Sequence, residues 1–370
     1  MPLRLGIDAS RANQEQRTGV EKYCFQIIQH LKEEVPANVQ VILYSKRPLN
    51  FGLEDLPENW ESKVLSWPWR LWTQIRLSYE MVASPVDALF IPGHTFPLFH
   101  PKKTILTIHD IAAAKFQQSY NLFERYYSLM PAKMSRSLSK IIVPSEFTKK
   151  ELTEEFSVSR EKIHVIPHGF NSDYHQEDQS PSPKQKALNK YDIQKPFLLF
   201  IGRLELKKNL PRIIQAFNKI KNGDHSNLSL VLGGKHGYGY KEVKKEIERS
   251  KFKQNIKEIG WIDEDFKRDL ISQSELLLLP SLYEGFGFPV LEAFSCETPV
   301  LASEGTSLEE VGGSAPIYVN PLSVDSIYKG IESALSDRNL IENKVKFGKK
   351  RLQEFSWEKC ARQTAKVLLS

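Results

Sequence analysis

Short apolar runs alternate along this chain with stretches whose apolar residues recur at helical spacing. Leu3–Ile7, Val39–Tyr44, Ala88–Ile91, Thr104–Ile108 and Ile141–Pro144 read as buried parallel strands, with helix-period segments between several of them. After a break the series resumes with Phe197–Gly202, Leu228–Gly233, Ile256–Gly260, Leu276–Pro280, Pro299–Ala302 and Ile317–Val319. Strand–helix alternation of this kind predicts an α/β fold with doubly wound sheets. The break itself, Asp173 to Lys190, is polar, contains Pro and Ser and has no apolar period, so it reads as linker or loop. The expected organisation is a Rossmann-like domain over 1–175, a linker over 176–190 and a second Rossmann-like domain over 191–355, with a ligand in the cleft where the two meet. Ser356 reads as the N-cap of a final amphipathic helix over 356–370, and Lys359 stands where a complete capping box has Glu or Gln. Trp67, Trp69 and Trp72 crowd one short segment, which reads as buried aromatic helix or, alternatively, as a surface for a membrane or an acceptor.

The totals narrow the class. A chain of 370 residues exceeds the roughly 100–200 of one domain, so two domains are the natural expectation. Apolar residues make up 41% and charged residues 26%, as in ordinary globular proteins. A net charge of +6 suits an anionic ligand or an anionic membrane surface, and falls short of the concentrated basic stripe of a nucleic-acid binder. Cys24, Cys296 and Cys360 are odd in number and far apart, which gives neither a disulfide framework nor zinc spacing and fits a reducing, cytoplasmic setting. The first residues, Met1 to Asp8, read directly as a strand, and no apolar run approaches the roughly 20 residues of a membrane span.

The stretch from Pro280 to Ala293 carries the most chemistry. Gly285 and Gly287 make a loop whose backbone can approach a ligand, and Pro289 suits the first turn of a following helix. Glu284 falls on the loop and Glu292 about one turn into the helix, so the two do not form a close acid/base pair. They suit two separate diols of one extended ligand, since an ionised carboxylate accepts bidentately. Free amides at the helix N-terminus suit phosphate or sugar oxygens. Upstream, a strand ends at Gly202, and Arg203 and Lys208 bracket the connection to a helix. A planar guanidinium fork and an ammonium point charge together make a diphosphate clamp; either cation alone is an ordinary surface charge. In the first half, Gly19 opens a helix after a polar loop, where a backbone without Cβ can crowd against phosphate. This is not a G-x-G-x-x-G fingerprint, which argues against a nicotinamide cofactor. His109 and Asp110 follow the strand Thr104–Ile108, at the end where open α/β sheets bind ligands, with Asp110 placed to orient the imidazole.

Glu284-Gly285-Phe286-Gly287-Phe288-Pro289-Val290-Leu291-Glu292-Ala293 resembles the Glu-x7-Glu signature of the family 4 retaining glycosyltransferases, which have the two-domain GT-B architecture. Gly202-Arg203 with Lys208-Asn209 resembles the same family's Gly-Arg-x4-Lys-Asn pattern, and the likeness extends over essentially the whole chain. It implies that Glu284, with Gly285, Phe286 and Gly287, meets donor-sugar hydroxyls and that Glu292 holds the ribose. It implies that Arg203 and Lys208, beside Gly202, bind the donor diphosphate, that Gly19 crowds against it, and that His109 stands near the reacting centre. Val143–Phe147 and Ile163–Gly169 resemble the last strand segments of the family's first domain, where Asn is commoner than His168. The family is described by a front-face substitution in which the leaving diphosphate takes the acceptor's proton. The resemblance implies a metal-independent reaction.

The Arg17–Tyr23 turn, Trp72 to Arg76 and His109-Asp110 resemble the mannosyltransferase-like branch that builds bacterial surface polysaccharides. That makes GDP-mannose the first-choice donor and a glycan or lipid-linked molecule the acceptor, with no further cofactor. Lys133, Arg136 and Lys140 near Tyr126, Tyr127 and Met130 form either a solvated helix face or a peripheral contact with an anionic bilayer at the inner membrane face. A nucleotide-sugar 2-epimerase shares the fold without this Glu and Arg/Lys combination, and a catalytically silent glycan-binding subunit would have lost it.

Overall fold

The computed structural model describes residues 2–93, 96–120, 122–171 and 186–370. The chain divides into two compact units, Met1–Gly169 with Phe355–Ser370, and Phe170–Glu354. The first unit is built on a seven-stranded sheet of β1 (Leu3–Asp8), β2 (Val39–Ser45), β3 (Trp60–Val64), β4 (Ala88–Ile91), β5 (Lys103–Thr107), β6 (Lys140–Val143) and β7 (Ile163–Val165). Its order is β3-β2-β1-β4-β5-β6-β7, and every pairing is parallel. The second unit holds β8 (Phe197–Ile201), β9 (Ser229–Gly233), β10 (Ile256–Gly260), β11 (Leu276–Leu279), β12 (Val300–Ser303) and β13 (Ile317–Val319), in the order β10-β9-β8-β11-β12-β13, again all parallel. Both are Rossmann-like sheets flanked by helices, as the alternation along the chain implies.

Parallel strands covered on both faces need apolar side chains on both, and β11, Leu276-Leu277-Leu278-Leu279, is buried throughout. The helix Leu210–Lys221 answers with a helical stripe of Leu210, Ile213, Ile214, Phe217 and Ile220 packed into the same core. β3 is different in kind. Only Trp60 of Trp60-Glu61-Ser62-Lys63-Val64 is buried, because this strand lies at the sheet's edge. Its polar, unalternating residues carry no strand signal, and the periodicity reading passes over it.

Two further expectations change. Of the stretch read as linker or loop, 173–185 lies outside the described residues, while Lys186–Lys190 forms a short helix that packs on the helix Glu264–Gln273 and buries Ala187 and Leu188. The three tryptophans do not form a buried aromatic helix. Trp69 is 70% exposed with its edge on Trp67, both precede the π-helical turn Thr73–Leu77, and Trp72 alone is fully buried, its indole N–H donating to the Leu65 carbonyl. In the C-terminal segment, the Ser356 hydroxyl accepts from the Lys359 amide, and the helix Trp357–Leu369 packs on the helix Gly19–Glu34 within the first unit.

Candidate functional site

In the second unit the strand order reverses between β8 and β11, and open α/β sheets bind ligands beyond the carboxyl ends of strands at such a reversal. Arg203 and Lys208 follow β8, and Glu284 follows β11. The loops that carry them are fastened to one another. After a short 3-10 turn over Leu206–Lys208, Asn209 takes the left-handed conformation and opens the next helix. Its side-chain amide donates to the carbonyls of Pro280 (2.9 Å) and Pro321 (2.6 Å), and the Leu282 amide donates to the Lys207 carbonyl (2.8 Å). The Ser307 hydroxyl donates to the carbonyls of Glu284 and Phe286, and the Ser303 hydroxyl to that of Ser281. Backbone geometry demands glycine at 287. Its φ is +112°, and a Cβ there would stand 2.4 Å from Leu308 Cδ2. The turn lets the buried Phe286 ring pack edge-on against Phe288 before Pro289 starts the helix Phe288–Ser295.

On this frame the charges are sorted. Lys208 Nζ lies 2.6 Å from Glu284 Oε1, which also accepts from the Ser281 hydroxyl at 2.8 Å. The two residues assigned from sequence to diphosphate and to sugar thus touch each other, and a ligand that engages both must share or replace this ion pair. Arg203 is exposed, and its guanidinium makes no hydrogen bond or ion pair with the described residues. Lys207, the neighbouring cation, lies 3.4 Å from the buried Glu205. Glu292 sits on the helix beyond the loop, buried and ion-paired with Lys267 at 2.6 Å. Gly202 is fixed by its amide donating to the Gly233 carbonyl.

The first unit supplies imidazoles. His109 is buried at the end of β5, with Nε2 2.9 Å from the Pro92 carbonyl and Nδ1 3.3 Å from His168 Nε2. A carbonyl only accepts, so His109 carries a proton on Nε2. Both rings lie against Tyr23, at 4.9 and 4.3 Å between centroids, and Trp357 closes the cluster behind Tyr23. Burial, reinforced by the neighbouring His109, holds the His168 pKa well below its ordinary value. Asp110 accepts from the Ala112 amide at 2.9 Å, at the start of the short helix Ala112–Lys115. Gly19 is exposed at the first position of its helix, after Thr18, whose hydroxyl donates to Glu21.

Known proteins with this arrangement bear on what it does. Residues 182–351 match the family model described as glycosyl transferases group 1, and residues 17–174 match glycosyltransferase family 4. The O-antigen chain mannosyltransferase B of Escherichia coli is 30% identical over 275 residues, which cover 74% of this chain and 72% of that protein. The chain belongs to the family 4 glycosyltransferases. The serotype-specific mannosyltransferase WbdA of Escherichia coli is 25% identical across 70% of this glycosyltransferase, which spans only 32% of that longer protein. In fold, the enzyme superposes on Anabaena Alr3699/HepE in complex with UDP-glucose with a TM-score of 0.74 at 16% identity, covering 99% of each chain. It superposes on WaaG, a glycosyltransferase of lipopolysaccharide biosynthesis, with a TM-score of 0.71 at 14% identity, covering 98% of this chain and 99% of that one. These likenesses fix the architecture as GT-B, and the enzyme transfers a sugar from a nucleotide-diphosphate donor.

The contacts that tie the candidate site of the glycosyltransferase together were not legible beforehand. Asn209, Ser303 and Ser307 stand in stretches that resemble the family's motifs, but only the fold brings their side chains, and that of Ser281, to loop carbonyls and carboxylates. Lys267 lies on a different helix from Glu292 and carries no local signal. Among the described residues, no group of three or more His, Cys, Asp or Glu is placed to hold a metal ion, and no helix is long and apolar enough to cross a membrane.

Proposed function

We propose that this glycosyltransferase moves mannose from GDP-mannose to a glycan or lipid-linked acceptor of a surface polysaccharide, with retention at the anomeric carbon. The donor nucleotide and sugar rest on the relatives, two of which are named mannosyltransferases, and on the likeness of the first-domain motifs to that branch. Arg203 and Lys208 carry the diphosphate, Glu284 the sugar hydroxyls and Glu292 the ribose diol. The observation that carries the reading is the meeting of Lys208 and Glu284 at the strand reversal, with the Arg203 guanidinium exposed on the same loop as Lys208.

The step breaks the bond from the anomeric carbon to the diphosphate oxygen and forms one to the acceptor oxygen on the same face. The acceptor's proton passes to the departing phosphate oxygen. No protein nucleophile enters, so the protein's main contribution is fixed positive charge where negative charge develops. His109, held by the Pro92 carbonyl and by His168, adds a polar wall near the reacting carbon. A panel of GDP-mannose, UDP-glucose, UDP-galactose and dTDP-rhamnose, followed by nucleotide release, tests the donor. Release from GDP-mannose should lead, and equal or faster release from another donor would overturn it.

The lipid-linked acceptor finds support on the first unit's surface. Leu122 is 85% exposed, and Phe123, Tyr126, Tyr79, Val82, Leu98 and Phe99 are exposed as well. Hydrogen bonds from Tyr127 to Gln74 and from the Leu98 amide to Ser78 tie their three segments together. Lys133 lies over the Tyr126 ring and Arg76 over Tyr79, so cations fringe the aromatic face. The sequence-based grouping shifts in detail, since Met130 is buried and Lys140 donates to the Val367 carbonyl and to Ser370. This face rests on anionic lipid on the cytoplasmic side. Vesicle flotation should therefore be stronger with phosphatidylglycerol than with phosphatidylcholine, and equal recovery with both would remove the bilayer from the proposal.

A further inference from the structure

Lys267 stands on the helix Glu264–Gln273 and reaches across to Glu292 on the helix Phe288–Ser295. The ammonium and carboxylate side chains are 15% and 4% exposed, so water screens this pair poorly. Lys267 Nζ also lies 3.7 Å from Glu264, one turn earlier on its own helix. Burial opposes the ammonium's charge, but Glu292 and Glu264 more than offset it and raise the Lys267 pKa. A buried ion pair is weak evidence for stability, because two apolar residues of similar volume join helices as well or better. Keeping a lysine here makes sense if Glu292 has to remain ionised in a place that disfavours charge. A diol donates two hydrogens, and only an ionised carboxylate is acceptor-only.

We infer that Lys267 is a positioning residue of the donor site, holding Glu292 ionised and in the rotamer that accepts from the nucleotide's ribose diol. The inference rests on the assignment of Glu292 to the ribose. Lys267 itself need touch no ligand. Its effect is transmitted through one 2.6 Å contact, which fixes Glu292 Oε1 and so the plane of the carboxylate. Other ionisable groups nearby are Glu264 and Arg268 on the lysine's helix and Cys296 just beyond the glutamate's, with burial pushing the Cys296 thiol up to about 11. Glu309 and Glu310 lie on the adjoining helix Ser307–Gly312, and the Lys349–Glu297 and Lys190–Asp263 pairs lie on further neighbours, partly in water. The Lys267 ammonium stands at bonding distance, 2.6 Å, from Glu292 Oε1.

The test is calorimetric titration of GDP and 2′,3′-dideoxy-GDP, with UDP and its dideoxy counterpart in parallel, between pH 6 and 8.5. Wild-type protein should prefer the ribose nucleotide about tenfold or more, and Glu292→Gln should lose that preference. Lys267→Met and Lys267→Gln should lose most of it at pH 6 and recover part of it at pH 8.5, because a carboxylate without its counter-charge takes up a proton more readily. Lys267→Arg should keep the preference. In the Glu292→Gln background, Lys267→Met should change nothing further. A Lys267→Met or Lys267→Gln protein that melts cooperatively and keeps full diol discrimination at every pH would reduce Lys267 to a strut between helices and overturn the inference. If Glu292→Gln itself keeps full discrimination, the ribose assignment falls, and the inference falls with it by a separate route.

Discussion

The two units have the same architecture and use it differently. At the strand reversal of the second unit, charges face one another in defined pairs, Lys208 with Glu284 and Lys267 with Glu292, on loops tied together by side-chain amides and hydroxyls. In the first unit, the end of β5 holds a buried cluster of His109, His168 and Tyr23, while its surface presents aromatic rings fringed by cations. A diphosphate needs fixed opposite charge, and preorganised charge must be anchored or it reorients at a cost. The buried His168 imidazole, by contrast, resists taking up a charge. The comparison teaches that two α/β units of like architecture can carry paired charges in one and a buried imidazole cluster in the other.

Removing a charge from the second unit is the most severe way to test that division. Arg203→Ala or Lys208→Ala should lower turnover by about 100-fold or more, in the range lost with a single transition-state donor, while the melting temperature changes little. Steady-state nucleotide release beside a thermal melt checks both halves. Turnover within a few-fold of wild type would mean that the clamp is not where the charge develops.

The loop that positions Glu284 offers a second break. Gly287→Ala puts a Cβ against Leu308 at a φ of +112°, so it should destabilise by about 1–3 kcal/mol and raise the donor KM. Denaturant unfolding reads the first effect and donor titration the second. An unchanged midpoint would show that the loop relaxes freely.

The buried His168 of the first unit predicts a pH effect of definite sign. His168 in the folded protein resists protonation, whereas in the unfolded chain it binds a proton near pH 6.5. Below that pH the unfolded state holds the extra proton, so stability falls as the solution is acidified, by at most ~1.4 kcal/mol per pH unit for this one group. The contribution is fully present above pH 6.5. His168→Asn, which keeps a hydrogen-bonding partner for His109, should flatten the dependence of the melting temperature between pH 7 and 5. An identical slope in both proteins would assign the acid sensitivity elsewhere.

The smallest expected effect is on the aromatic face. Leu122→Ser with Phe123→Ser should leave stability within about 0.5 kcal/mol, since neither residue is buried, and should weaken flotation on anionic vesicles several-fold. Unchanged flotation would remove these two residues from the contact.

What could be read in advance follows from how local each signal is. Buried parallel strands are near-continuous apolar runs, so β8 to β13 and most of the first sheet could be located from the chain alone. The edge strand β3 buries one residue and could not. β7 was found only through its likeness to a known family. Glycine, arginine and glutamate at the strand reversal are set within short motifs, so the loops that carry them were legible. The partner of His109 lies 59 residues further on and that of Glu292 lies 25 residues back, on other elements. Such pairs exist only once the chain is folded. Trp67, Trp69 and Trp72 mislead for the opposite reason, because composition shows three rings but not which one finds a pocket.

The central claim, that the strand reversal of the second unit holds the nucleotide-diphosphate sugar, can be tested without any substitution. Hydrogen–deuterium exchange would be followed by mass spectrometry with and without saturating GDP-mannose. The account predicts that slowed exchange within the second unit concentrates in peptides covering 202–209 and 281–292. Protection in that unit confined to peptides away from both segments would contradict it.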